Sequence, residues 1–148
     1  MTRPLPAALA ALLLSLLLAL PAARAESPLS VRIEGVRNAK GVVHVLLFDK
    51  ARPFDKQLYG KLFRYAKVPA AAGTLTAAVK NVPAGTYAAM IHHDENDNGQ
   101  FEMKGPVPLE GYAYSNNVGT EAVPSFKQAA FAHADAAVPL TVTMIYFE

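Results

Sequence analysis

The sequence predicts an all-β fold, a Greek-key β-sandwich of about seven strands, and three observations carry that expectation. Short runs alternate apolar and polar residues with a period of two. Clusters of Gly, Pro, Asn and Asp separate those runs and supply turns. Beyond residue 25, no stretch long enough for a three-turn helix carries a helical apolar stripe. Transthyretin-like and immunoglobulin-like strand orders fit these runs equally well.

In chain order, Leu29, Val31 and Ile33 alternate with Ser30, Arg32 and Glu34 as a half-buried first strand. Asn38-Ala39-Lys40-Gly41 follows as a turn in which Gly41 can take positive φ. Val42–Phe48 (VVHVLLF) is apolar and β-branched, and its closeness in sequence predicts a hairpin with the first run. Residues 49–60 form a connector with room for one helical turn, and 61–68 alternate as a strand or edge. Residues 74–79 alternate again, Pro83-Ala84-Gly85 turns the chain, and 86–93 (TYAAMIHH) run back. A polar loop (94–104) and a Pro/Gly/Tyr-rich stretch (105–124) come next. Residues 126–132 fit a short strand or helix, and 138–147 a closing strand.

Residues 1–25 read as a cleaved signal peptide. Arg3 precedes an Ala/Leu run over 5–20, and Ala23 and Ala25 give the small-x-small pattern of a cleavage site. The run is short for a membrane span, which needs roughly 20 residues. The expected product is a single periplasmic or secreted domain, 26–148, with no membrane span. With Arg3 and Arg24 removed, twelve basic residues face twelve acidic ones, so the precursor's charge of +2 says nothing about nucleic acid. There is no cysteine, so the domain relies on its core and any bound ion rather than disulfides.

The segment Asp94-Glu95-Asn96-Asp97-Asn98-Gly99-Gln100-Phe101-Glu102 carries the most chemistry. Asp94, Asn96, Asn98 and Gly99 match D-x-[DN]-x-[DN]-G, the opening half of a calcium loop. Alternate residues of a tight loop can turn short oxygen side chains toward one point, and calcium takes six to eight oxygens. The expected ligands are Asp94, Asn96, Asn98, the Gln100 carbonyl and Glu102, with Asp97 or Glu110 as further carboxylates. The position where an EF-hand carries glutamate is Gly105, and the left flank is a strand, so this is not an EF-hand. So few carboxylates imply weak affinity, about 10⁻⁴–10⁻³ M. An all-oxygen set favours calcium over zinc or copper.

His92 and His93 precede the loop and point to opposite faces of a strand, so they do not share a metal. One is expected to support the loop by hydrogen bonding and the other to be exposed. Ser115 lacks a G-x-S-x-G context and a paired base. Tyr112 and Tyr114, with Phe101 nearby, pack over a sheet edge or offer aromatic faces to a sugar or peptide.

Three blocks together carry a resemblance. They are Gly85-Thr86-Tyr87-Ala88, His93-Asp94-Glu95-Asn96-Asp97-Asn98-Gly99, and Glu110-Gly111-Tyr112 with Ser115-Asn116-Asn117. Pro124, Phe126, Ala130 and Phe131 continue the pattern, and the whole resembles DUF2141, an uncharacterised family of exported bacterial proteins. Glu102 stands where that family usually has aspartate, and 105–108 depart from its usual Gly-x-Pro spacing. The resemblance implies that the acidic loop and the Glu110–Asn117 segment form one feature; it supplies no activity.

These readings lead to a non-enzymatic binding or accessory module with a calcium-holding loop, its partner a protein, peptide or glycan. The alternative is a small periplasmic hydrolase using Asp94, Glu102 and Glu110 as its acidic cluster. Geometry separates them: a module closes its loop on one ion-sized point, whereas an enzyme opens a cleft beside a base.

Overall fold

The computed structural model describes residues 26–134 and 138–147. The signal peptide expected over 1–25 lies outside the described residues. Ten strands and two short α-helices occur among them, besides single 3-10 turns at Tyr59–Lys61 and Ser115–Asn117: β1 (Glu26–Val36), β2 (Val42–Phe48), α1 (Ala51–Asp55), β3 (Arg64–Pro69), β4 (Gly73–Pro83), β5 (Gly85–Asp94), β6 (Met103–Lys104), β7 (Val107–Pro108), β8 (Gly111–Tyr114), α2 (Phe126–Ala129), β9 (Phe131–His133) and β10 (Leu140–Thr143). The all-β sandwich expected from the sequence is the fold observed.

One sheet has the order β10-β1-β4 and the other β3-β2-β5-β8, with β9 pairing the start of β5. β6 and β7 form a separate small hairpin. Period-two alternation explains the packing. Leu29, Val31 and Ile33 of β1 meet Val43, Val45 and Leu47 of β2 and Ala89 and Ile91 of β5 in a core between the sheets. Each fully buried aliphatic side chain there contributes about 1.5–3 kcal/mol.

The expected β1–β2 hairpin does not form. β1 pairs antiparallel with β4 and parallel with β10, while β2 lies in the opposite sheet between β3 and β5. Both strands bury an apolar face, and both faces are satisfied when the strands lie across the core from one another. The turn before Gly41 therefore carries the chain between sheets. Gly41 has the anticipated positive φ, 65°.

Other boundaries also differ from the sequence reading. The stretch 105–124 contains β8, an edge strand of four residues, besides β7. Residues 126–132 are both helix and strand, α2 followed by β9. Regular pairing of the closing run is confined to β10, with one further bridge between Tyr112 and Ile145.

The second face of the larger sheet positions the site. Phe48, Ala88, Met90, Tyr112 and Tyr114 point away from the central core and are covered by Phe54 of α1 and Ala129 of α2. At the far end of this face, His44 and His92 are register partners on β2 and β5.

Candidate functional site

The site begins where β5 ends. His92 and Asp94 lie two residues apart and so share the outward face of β5. His44 stacks on His92, with ring centroids 5.3 Å apart and planes at 22°. Each histidine has its own carboxylate. His92 Nε2–H donates to Glu110 Oε2 at 2.7 Å, and His44 Nε2–H donates to Asp94 Oδ2 at 3.2 Å. Because an ionised carboxylate can only accept, these contacts fix the tautomers. His44 Nδ1 then accepts from the Tyr65 hydroxyl at 2.5 Å. His92 Nδ1 makes no hydrogen bond, and no fully buried side-chain nitrogen or oxygen lacks a partner among the described residues. This nitrogen therefore has solvent access. Burial lowers the His92 pKa despite Glu110, favouring the neutral ring.

Asp94 is fully buried and organises the loop from inside. Its Oδ1 accepts the Asn98 N–H at 3.1 Å and its Oδ2 the Gly99 N–H at 2.7 Å. Burial pushes this carboxyl up, but the Gly99 N–H, His44 and the Asn98 N–H outweigh it and hold the pKa below its ordinary value. Asn96 Oδ1 accepts the Asn98 N–H at 3.1 Å, and Asn98 Oδ1 accepts the Gln100 N–H at 2.8 Å. Such self-bonding turns are what Asn and Asp favour. Positive φ at Asp97 (55°) and Gly99 (76°) completes the curl.

Glu102 closes the loop over the two amides. Its Oε2 accepts from Asn96 Nδ2 at 3.0 Å and its Oε1 from Asn98 Nδ2 at 2.9 Å. Glu110, reaching across from the start of β8, accepts the Glu95 N–H at 3.2 Å and the Glu102 N–H at 3.3 Å. Glu95 binds Arg37 Nε at 2.6 Å and Asn38 Nδ2 at 3.0 Å, tying the loop to the β1–β2 turn.

The structure thus brings Asp94, Asn96, Asn98 and Glu102 together, with Gln100 contributing its N–H to Asn98. Asp97 points elsewhere, to Lys67 Nζ at 2.6 Å. Among the described residues, no three His, Cys, Asp or Glu side chains gather as a metal cluster. A cation here would depend on amide and carbonyl oxygens beside Asp94 and Glu102.

Neither histidine of the pair before the loop is exposed, contrary to expectation: His92 and His93 are both buried. His93 donates from Nε2 to the Lys40 carbonyl and accepts from the Tyr146 hydroxyl at Nδ1, both at 2.8 Å. It locks the β1–β2 turn and the C-terminal segment to β5. His44 is not legible as a site residue in the sequence because its role depends on the pairing register of two strands whose matched histidines lie 48 positions apart. Setting the apolar runs of β2 and β5 antiparallel would have been the signal.

The implied unity of the two polar segments holds in part. Glu110 belongs to the loop, whereas Ser115, Asn116 and Asn117 tether other elements. Ser115 Oγ accepts the Ala89 N–H at 2.9 Å and donates to the Ala129 carbonyl at 2.5 Å. Asn116 donates to the Gln128 and Ala130 carbonyls, and Asn117 accepts the Thr143 N–H. Ser115 is a buried structural hydroxyl with no base beside it.

Beside this network, the outward face of β5 and β8 opens into a cavity of about 420 Å³. Met90, Phe101, Tyr112, Tyr114 and Phe147 contribute to its walls. A smaller hollow of about 230 Å³ adjoins it, lined in part by His44, His92, Tyr65, Met90 and Phe101. Phe101 meets His92 edge to face and stands at 90° to Tyr112. The tyrosines do pack over a sheet edge, and in doing so they wall a concavity.

Comparison with curated proteins and with solved structures returned no match to this chain. Residues 31–141 match the model of a family described as an uncharacterized protein conserved in bacteria. With most of its length covered by that match, and with the loop and both flanking strands inside it, the chain belongs to the DUF2141 family.

Proposed function

We propose that this protein is a non-enzymatic binding module, working in the periplasm or outside the cell, whose Asp94–Glu102 loop holds a calcium ion. The observation that carries this reading is the engagement of the buried carboxylates. Asp94 and Glu110 accept loop N–H groups and a histidine each, which suits scaffolding. A hydrolase using Asp94, Glu102 and Glu110 needs one carboxyl free to give up or take a proton, and all three already accept internal hydrogen bonds. The depressed pKa of Asp94 also makes it a poor proton donor.

Calcium suits what remains. A carboxylate has about four acceptor positions. Asp94 keeps one on Oδ1, while Asn96 and Asn98 each retain a lone pair beside their N–H bond. Glu102 accepts only from two neutral amides, and a cation placed among these groups exchanges those bonds for stronger charge-assisted contacts. Gln100 adds a carbonyl.

The test is calorimetry and thermal unfolding with millimolar calcium after chelation. At a concentration equal to Kd, binding to the folded state alone stabilises by about 0.4 kcal/mol, and by about 2.7 kcal/mol at a hundredfold excess. Glu102→Gln should remove the calcium-dependent shift, since it deletes a charge from the open side of the loop. Asp49→Ala is a suitable control. Asp55 is not, because its Oδ1 accepts the Phe126 N–H at 2.6 Å at the start of α2. No heat of binding and no shift in the wild type would reduce the loop to a polar turn.

A further inference from the structure

The cavity beside the loop has a chemical bias in its walls. The aromatic rings of Tyr59, Phe101, Tyr112, Tyr114 and Phe147 border it, and the charged side chain among its lining residues is Glu121. Tyr112 stands edge to face against Tyr114, with centroids 5.8 Å apart, and stacks on Phe147 at 6.2 Å. A wall built from clustered aromatic rings offers π-faces to which an organic cation is attracted.

A second observation points to a ligand. Tyr114 is 6% exposed, yet its hydroxyl makes no hydrogen bond. Since no fully buried polar side-chain atom is left without a partner among the described residues, that hydroxyl keeps some solvent access, and Tyr114 is one of the residues lining the cavity. The neighbouring tyrosines are already engaged, Tyr59 with Gln57 Oε1 and Tyr112 with the Gly119 carbonyl. In the adjoining hollow His92 Nδ1 also lacks a partner. Its proton lies on Nε2, so Nδ1 offers a lone pair. Both of these free atoms can accept a hydrogen bond, and Glu121 adds a carboxylate to the wall of the larger cavity.

We infer that this cavity binds a small organic ammonium ion with an aromatic or apolar body. The volume of about 420 Å³ falls in the range of small-molecule sites, roughly 300–1,000 Å³. Its concave shape suits a whole small molecule better than a protein surface. The aromatic faces and Glu121 attract the charge, and the Tyr114 hydroxyl accepts an ammonium N–H. An anion would meet Glu121 with no basic side chain among the lining residues to offset it. The inference rests on the reading of the protein as a binding module and names the class of its ligand.

The experiment titrates the intact protein with phenethylammonium, its neutral analogue 2-phenylethanol and the anion phenylacetate, followed by calorimetry and NMR shifts. The expected result is saturable binding of the ammonium, at least tenfold weaker binding of the alcohol, and none of the carboxylate. Tyr114→Phe and Glu121→Gln keep the ring and the exposed backbone intact, and each should weaken ammonium binding several-fold while leaving the alcohol unchanged. Equal binding of alcohol and ammonium, preference for phenylacetate, or no binding of any probe at millimolar concentration would overturn the assignment. So would a dimer, seen by analytical ultracentrifugation, that closes the cavity. Should calcium still bind while every probe fails, the ligand class falls and the calcium loop stands.

Discussion

A methyl group placed on the α-carbon of Gly41 would lie 2.0 Å from the carbonyl oxygen of Asp94. The turn leading out of β1 is thus pressed against the first residue of the acidic loop, and glycine is what lets the two backbones meet. Gly41 also sits at φ 65°, where side chains are strained.

Gly41→Ala should therefore destabilise the protein by at least about 2 kcal/mol, combining positive-φ strain with displacement of the loop backbone. Urea denaturation measures this directly. A loss under about 0.5 kcal/mol would mean that the two segments separate freely in solution.

Glu110→Ala deletes one acceptor that serves three donors: His92 Nε2–H and the Glu95 and Glu102 N–H groups. Leaving buried donors unsatisfied costs about 1–3 kcal/mol. Hydrogen exchange at the Glu95 and Glu102 amides should accelerate by at least tenfold while exchange in β1 and β4 shifts only with global stability. Unchanged protection at both amides would show that Glu110 does not staple the loop.

Acid should weaken the fold in two stages. His92 has a lowered folded pKa, so below pH about 6.5 the unfolded chain takes a proton that the folded protein resists, and stability falls. Asp94 also has a lowered folded pKa; its contribution is complete above the unfolded value near 4 and is lost as pH drops through the folded value. In calcium-free buffer the urea midpoint should decline between pH 7 and 5, and again below 4. His92→Gln, which keeps a donor for Glu110, should flatten the first decline and spare the second.

Ser115→Ala should cost about 1–3 kcal/mol, because the buried Ala89 N–H loses its acceptor. The wild-type hydroxyl, bonded on both sides, should resist fluorophosphonate labelling at all pH values from 6 to 9. Stoichiometric labelling at this serine would reopen nucleophilic chemistry.

Strands whose burial repeats every second residue were readable from sequence, as in Leu29, Val31 and Ile33 or the run VVHVLLF. Pairing was not. Closeness in sequence favoured a β1–β2 hairpin, while burial of both apolar faces required the strands to oppose each other across the core. β8 is not legible, because Gly111-Tyr112-Ala113-Tyr114 is too short to establish a period. The loop residues Asp94, Asn96, Asn98 and Glu102 were legible because their spacing is local. His44 and the cavity were not, since they arise from register and from the way 101–123 folds back over the sheet.

The place of β1 also bears on how the chain folds. It is the central strand of its sheet, yet its partners Leu75 and Leu140 lie 42 and 109 residues beyond Ile33 and Val31 respectively. Neither pairing is local, so loop-closure entropy must be met before either strand contributes, and such topologies fold slowly, in milliseconds to seconds. During that interval β1 keeps an unpaired edge. Its outward face then carries Ser30, Arg32 and Glu34, a polar row that discourages association with another chain before β4 and β10 arrive.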